Sequence, residues 1–304
     1  MNSTPSGEPT RAGFCAIIGA PNAGKSTLVN QLTGAKVAIV SHKVQTTRAR
    51  LRAIVMEGRS QIVLVDTPGI FTPKRKLDKA MVESAWGGAG EADAVVVLVD
   101  GRTGITDDVK RIFEGMKAAN AEAVLAINKI DLIKRENLLK ISAAFNAAFP
   151  FKATFMVSAL KGSGTEDLKK YLAAKMPAGH YLYPEDQVAD VQLRFMASEI
   201  TREKLYNRLH DELPYASTVE TEGWEERKNG SVKIDQVIYV ERDSQKAIVL
   251  GKGGQTVKIL GQQAREDMEK YFERRVHLFI FVKVRENWAE DPERLRMMGL
   301  DVRG

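Results

Sequence analysis

Lys25 lies in the stretch GAPNAGKST, Gly19 to Thr27, with small residues on both sides of it. The spacing G-x-x-x-x-G-K-S is that of a loop whose backbone N–H groups cradle phosphate oxygens. In that reading Gly19, Ala20, Pro21, Asn22, Ala23 and Gly24 form the cradle and Lys25 reaches the β and γ phosphates. The Ser26 hydroxyl ligates Mg²⁺, and Thr27 continues into a helix whose N-terminus favours anions. The chemistry implied is binding of a nucleoside phosphate.

Three further clusters narrow the nucleotide. DTPG, Asp66 to Gly69, follows an apolar run. Asp66 is placed to hold Mg²⁺ through water, Thr67 and Pro68 turn the chain, and the Gly69 N–H is placed to sense a γ phosphate. NKID comprises Asn128, Lys129, Ile130 and Asp131. A carboxylate only accepts hydrogen bonds, so Asp131 suits the N1–H and exocyclic amine of guanine, and adenine offers no matching donor pair. Asn128 would brace the loop, and the Lys129 stem would lie along the base. SAL (Ser158, Ala159, Leu160) would offer backbone N–H groups to guanine O6. Between the first two motifs, Thr46 and Thr47 stand in a basic loop, and one of them is expected to complete the Mg²⁺ shell. Ile70 occupies the position where many signalling GTPases carry a water-orienting glutamine. The catalytic set is therefore Lys25, Thr46 or Thr47, Asp66 and Gly69, with slow hydrolysis that depends on positioning and electrostatics.

The elements needed to hold these loops are legible as apolar runs. They span 14–19, 61–66, 94–100, 123–128 and 154–158, and helical segments alternate with them. Such runs fit strands covered on both faces, hence an α/β domain with a mostly parallel sheet and helices on both faces, its ligands beyond the carboxyl ends of the strands. The alternation stops in KMPAGHYLYPEDQ, which carries Pro177 and Pro184 and reads as a linker. Beyond it the order is helix, strand, strand, helix, glycine loop, helix, strand, a small α+β domain. The loop GKGG, Gly251 to Gly254, lies between an apolar helix and an amphipathic one, the setting of the G-x-x-G loop with which K-homology (KH) domains grip RNA backbone. Lys246, Gly251, Lys252, Gly253, Gly254, Gln255 and Lys258 are its candidate RNA-binding residues.

Composition is compatible with this. The chain has 304 residues, 44% of them hydrophobic and 28% charged. That length favours two domains. The net charge of +6 permits RNA or anionic membrane as a partner. No apolar run approaches the roughly 20 residues that cross a bilayer, so a cytoplasmic location is expected. The one cysteine, Cys15, reads as a buried small hydrophobe and excludes an internal disulfide.

GAPNAGKS, QTTR, DTPGI, NKID and SAL, followed by RFMASEITREKLY, ELPY, VLGKGGQTVKILGQQAR and VHLFIFVKVRENW, resemble the Era family of bacterial GTPases from about Phe14 onward. The resemblance implies a P-loop GTPase domain over 13–178, after a lead-in over 1–12. A linker over 179–190 and a type II KH domain with its C-terminal tail over 191–304 follow. It implies GTP or GDP with Mg²⁺, and K⁺ placed beside the phosphates with the help of Asn22. Its implied partners are the 3′ end of 16S ribosomal RNA and the small ribosomal subunit in assembly, with peripheral association with the inner membrane, and no DNA is expected. Two alternatives stay open on the residues alone: a membrane-linked signalling GTPase, and a non-hydrolysing scaffold suggested by Ile70.

Overall fold

The computed structural model describes residues 9–41, 43, 46–48, 51–73, 75–210, 212–297 and 300. Most of the N-terminal lead-in, Gln45 of the QTTR motif and the terminal residues 301–304 lie outside them. By its internal contacts the chain divides into two compact units. The first holds most of the chain up to Asp190, and the second holds Val191 onward together with the short segments Ile39–Thr46 and Arg75–Leu77.

The first unit is a seven-stranded sheet. Its strands are β1 (Arg11–Ile18), β2 (Leu51–Glu57), β3 (Ser60–Asp66), β4 (Ala94–Asp100), β5 (Val124–Asn128), β6 (Thr154–Met156) and β7 (Ala189–Asp190), in the order β6-β5-β4-β1-β3-β2-β7. β1 pairs in parallel with both β3 and β4, and β5 joins β4 to β6 in parallel. Its helices are α1 (Lys25–Thr33), α2 (Lys76–Gly90), α3 (Asp107–Ala118), α4 (Arg135–Ala148) and α5 (Thr165–Lys175). α3 starts where Thr106 caps it, its side chain accepting from the Val109 N–H, with Asp107 and Asp108 in the first turn and Lys117 in the last. Those charges complement the helix dipole. The α3 residues Val109, Ile112, Phe113 and Met116 bury against Val95, Val97 and Val99 of β4 and Leu125 and Ile127 of β5. β3 is buried at every residue. The apolar runs are thus central strands, and the phosphate loop, Asp66, Asp100 and Asn128 all come to the carboxyl edge of the sheet.

Three features depart from the sequence reading. The residues after the threonine loop form β2, antiparallel to β3, where no strand was expected. Its signal is weak because Arg52 and Glu57 interrupt the apolar pattern. The stretch 179–190, read as a linker, packs on this sheet. Gln61 accepts from the Leu182 and Tyr183 N–H groups and donates to the Tyr183 carbonyl, and β7 pairs with β2 at Ala53 and Arg52. At the other end, β1 begins at Arg11, so the last two residues of the expected lead-in belong to a strand.

The second unit contains α6 (Leu193–Arg208), β8 (Ser217–Glu226), β9 (Val232–Val240), α7 (Asp243–Leu250), α8 (Gln255–Phe272), β10 (Val276–Val284) and a short α9 (Pro292–Met297). Its sheet has the order β10-β9-β8. β8 and β9 form an antiparallel hairpin with a bulge between Thr221 and Gly223, whereas β9 and β10 run parallel. A parallel pair needs a crossover, and α7, the glycine loop and α8 supply it. Met196, Ala197 and Ile200 of α6 and Ala264 and Met268 of α8 bury against Val232, Ile234 and Val276. Trp288, wholly buried, donates its indole N–H to the Ala216 carbonyl at 3.0 Å, which ties the tail to this core.

Candidate functional site

In the first unit the phosphate loop leaves β1 after Ile18 and enters α1 at Lys25. Gly24 takes φ 101°, and a Cβ there would stand 2.3 Å from Asn128 Nδ2. Only glycine tolerates both the backbone angle and that approach. Asn128, at the tip of β5, donates from Nδ2 to the Ala23 carbonyl at 2.8 Å and accepts at Oδ1 from the Ala159 N–H at 2.9 Å. One side chain therefore ties the phosphate, NKID and SAL loops together. Asp131 sits in a 3₁₀ turn, and its Oδ1 accepts from Ser158 Oγ at 2.7 Å, which aims the carboxylate expected to read guanine.

Lys25 is buried, and Nζ donates to the carbonyls of Gly19 and Ala20 at 3.0 Å each. Burial pulls its pKa down to about 8, against the upward pull of Asp66. Asp66, fully buried at the tip of β3, is shifted the other way: burial raises its carboxyl pKa, with Lys25, Ser26 and Thr47 opposing. Its Oδ2 accepts from Ser26 Oγ at 2.9 Å and Thr47 Oγ1 at 3.2 Å, and those two hydroxyls lie 2.8 Å apart. Its Oδ1 is buried and has no hydrogen-bond partner among the described residues. An orphaned carboxylate oxygen beside two hydroxyls is the hard-oxygen donor set that Mg²⁺ takes. A phosphate beside Lys25 and a divalent cation beside Asp66 would compensate the hydration that burial has removed from these charges.

The two threonines part company in the fold: Thr47 Oγ1 joins Ser26 and Asp66, whereas Thr46 Oγ1 donates to the Lys43 carbonyl at 2.7 Å. Thr67 Oγ1 donates to the Ile17 carbonyl at 2.8 Å, which holds the turn after Asp66. The Ile70 N–H donates to the Gly19 carbonyl at 3.1 Å and its side chain is wholly buried in the α3 cluster. That position anchors the loop and presents no polar group. Asp100, held by Arg102, also reaches the NKID loop by accepting from Lys129 Nζ at 2.8 Å, and the sequence reading passed over both residues. Their signal is an acidic residue at the tip of a buried strand, in line with Asp66.

In the second unit the GKGG loop connects α7 to α8. Gly251, Gly253 and Gly254 take φ of 72°, 61° and 75°. A Cβ on Gly251 would meet Thr256 Oγ1 at 2.1 Å, whereas one on Gly253 or Gly254 would meet nothing within 4 Å. The outer two backbone positions are thus open to an approaching phosphate. Lys252, Gln255 and Lys258 are exposed, and Lys246 is half-buried on α7. Ile248, read from sequence as part of an apolar helix, is instead 58% exposed. It offers an apolar surface one turn from the loop.

Comparison with known proteins identifies both domains. Residues 14–129 match the family model described as a 50S ribosome-binding GTPase, and residues 212–289 match a KH domain. The chain is 61% identical to GTPase Era of Rhizobium meliloti (strain 1021) over 293 residues, covering 96% of this chain and 94% of that protein. It is 60% identical to GTPase Era of Afipia carboxidovorans, covering 96% and 95%. Among solved structures, a single-substitution variant of Aquifex aeolicus Era bound to GDP·AlF₄⁻ is 34% identical with a TM-score of 0.91. Era in complex with MgGDPNP and nucleotides 1506–1542 of 16S ribosomal RNA is 35% identical with a TM-score of 0.92. Each covers 96% of this chain and all of the solved one. With relatives this close along nearly its whole length, and with the phosphate loop, guanine-reading loop and KH loop in place, the chain belongs to the Era family of GTPases.

Proposed function

We propose that this Era GTPase binds and hydrolyses GTP in its first unit, binds the 3′ end of 16S ribosomal RNA through its KH domain, and assists assembly of the small ribosomal subunit. The observation that carries the reading is the presence in one chain of a carboxylate, Asp131, aimed by Ser158, and a GKGG loop with two backbone positions open to phosphate. The relative solved with both MgGDPNP and 16S RNA supports the combination.

Backbone N–H groups of Asn22 to Ser26 and the Lys25 ammonium neutralise the phosphates, and the Gly69 N–H reaches the γ phosphate. Ser26, Thr47 and Asp66 would hold Mg²⁺, which when bound supplies electrostatic stabilisation of charge on the β and γ phosphates. With Ile70 buried, no polar side chain from that position orients the attacking water, so hydrolysis is slow and rests on positioning and charge. K⁺ beside the phosphates, near Asn22, is part of the proposal. Asn22 supports it by placing an amide side chain, whose carbonyl oxygen is a hard donor, within the phosphate loop. The protein acts in the cytosol with peripheral contact at the inner membrane. The net charge of +6 supports that contact, and none of the described helices is long and apolar enough to cross a bilayer.

The test pairs two assays. Multiple-turnover phosphate release from GTP should vanish with Lys25→Ala and run faster in K⁺ than in Na⁺. Anisotropy of a labelled 16S 3′-terminal oligoribonucleotide should report binding by wild type. Binding no tighter than to an unrelated single strand would sink the RNA assignment and turn attention to anionic vesicles.

A further inference from the structure

Asp100 ends β4 opposite Asn128, with which it is paired in register, so its carboxylate stands where the NKID loop begins. It is not a loose surface anion. Its side chain is 12% exposed, and both of its oxygens accept two hydrogen bonds. Oδ1 accepts from the Arg102 N–H and from Arg102 Nε, both at 3.0 Å. Oδ2 accepts from Arg102 Nη2 at 2.7 Å and from Lys129 Nζ at 2.8 Å. Three bonds from Arg102 fix the rotamer, and the fourth reaches across to another loop. Burial pushes the Asp100 carboxyl up, but the hydrogen bonds from Arg102 and Lys129 outweigh it and hold the pKa at about 2, so the group is an anion wherever the protein works.

Lys129 is the residue that needs such an anchor. It holds φ 64°, a region non-glycine residues visit rarely and keep only when their surroundings over-determine it. Its ammonium makes two bonds, one to Asp100 and one to the carbonyl of Asn22 at 2.7 Å. Asn22 is itself left-handed, at φ 61°. Two residues of left-handed backbone, one in the base-reading loop and one in the phosphate loop, are thus joined by one ammonium whose other partner is Asp100.

We propose that Asp100 is a positioning residue of the guanine-nucleotide site: it holds the Lys129 ammonium against the phosphate loop and so fixes the base-reading loop relative to the phosphate cradle. The proposal rests on the reading of this site as a guanine-nucleotide site. Because base and cradle are common to GDP and GTP, Asp100 governs retention of both equally.

The experiment is a double-mutant cycle of Asp100→Ala and Lys129→Met in the full chain, read by stopped-flow dissociation of fluorescent GDP and of a fluorescent non-hydrolysable GTP analogue. Asp100→Ala should speed both dissociations by about tenfold, the factor for losing a charged hydrogen bond. In the Lys129→Met background it should add no more than about twofold, because residues acting through one another are non-additive. Thermal unfolding followed by circular dichroism checks folding, and Asp100→Asn, which keeps the shape, should shift dissociation in the same direction by less. Equal effects in both backgrounds, unchanged dissociation, or failure of both Asp100 variants to fold would overturn the positioning role. Failure of the wild-type protein to bind fluorescent GDP would overturn the guanine site itself, a distinct result.

Discussion

At the residue scale, donor and acceptor inventory decides the chemistry. Asp131 can only accept, and Ser158 Oγ holds one of its oxygens at 2.7 Å, so the carboxylate is aimed before any base arrives. Asp131→Asn replaces an acceptor pair with one donor and one acceptor, which suits the O2 carbonyl of xanthine in place of the guanine amine. Competition between GTP and xanthosine triphosphate should therefore reverse, by about a hundredfold in relative affinity if two hydrogen bonds change hands. The proposed metal donors make a second contrast. Thr47→Ala should raise the Mg²⁺ concentration needed for half-maximal phosphate release by about tenfold, the worth of a lost hard-oxygen ligand or its equivalent. Thr46→Ala, which removes only a hydroxyl bonded to the Lys43 carbonyl, should shift it far less in the same titration.

At the scale of elements, loops carry the function and strands set where the loops stand. The phosphate loop turns because Gly24 can take φ 101° beside Asn128. Gly24→Ala should abolish GTP binding in equilibrium titration while destabilising the protein by about 1–3 kcal/mol, the usual scale for forcing a side chain into such a conformation. The KH loop is the opposite case, because nothing stands within 4 Å of a Cβ at Gly253. Gly253→Asp therefore puts an anion into free space where a phosphate would lie. It should remove binding to the 16S 3′-terminal oligonucleotide, with GTP hydrolysis retained; loss of both would point to misfolding.

Across the whole molecule, each unit closes its own core, and β1 links the chemistry of the first to its stability. Cys15 lies in that strand with no exposure, and burial pushes its thiol up to about 12, so it is unreactive in the folded state. Labelling by a thiol reagent at pH 8 then reports opening of the first unit. A ligand that binds only the folded form slows opening by mass action, so GDP with Mg²⁺ at about a hundred times its Kd should slow labelling about a hundredfold. Gly253→Asp, in the other unit, should show the same protection. Absence of protection in wild type would contradict nucleotide binding beside β1.

Local chemistry was legible without coordinates. The phosphate loop, the acceptor that suits guanine and the glycine loop between two helices are contiguous stretches, and the apolar runs around them encode buried parallel strands through residue type alone. β2 was not legible, because charged residues break its pattern and only pairing with β3 makes it a strand. Nor was the role of 179–190, whose register on the sheet depends on Gln61, more than a hundred residues away. Thr46 and Thr47 are neighbours of one type, so only the path of the backbone could bring one hydroxyl to Asp66 and turn the other away. Asp100 and Lys129 illustrate the same division. Sequence determined which groups could carry charge or accept a proton, because that is a property of residue type; the tertiary structure decided which of them meet, because contacts between distant strand tips follow from the sheet order.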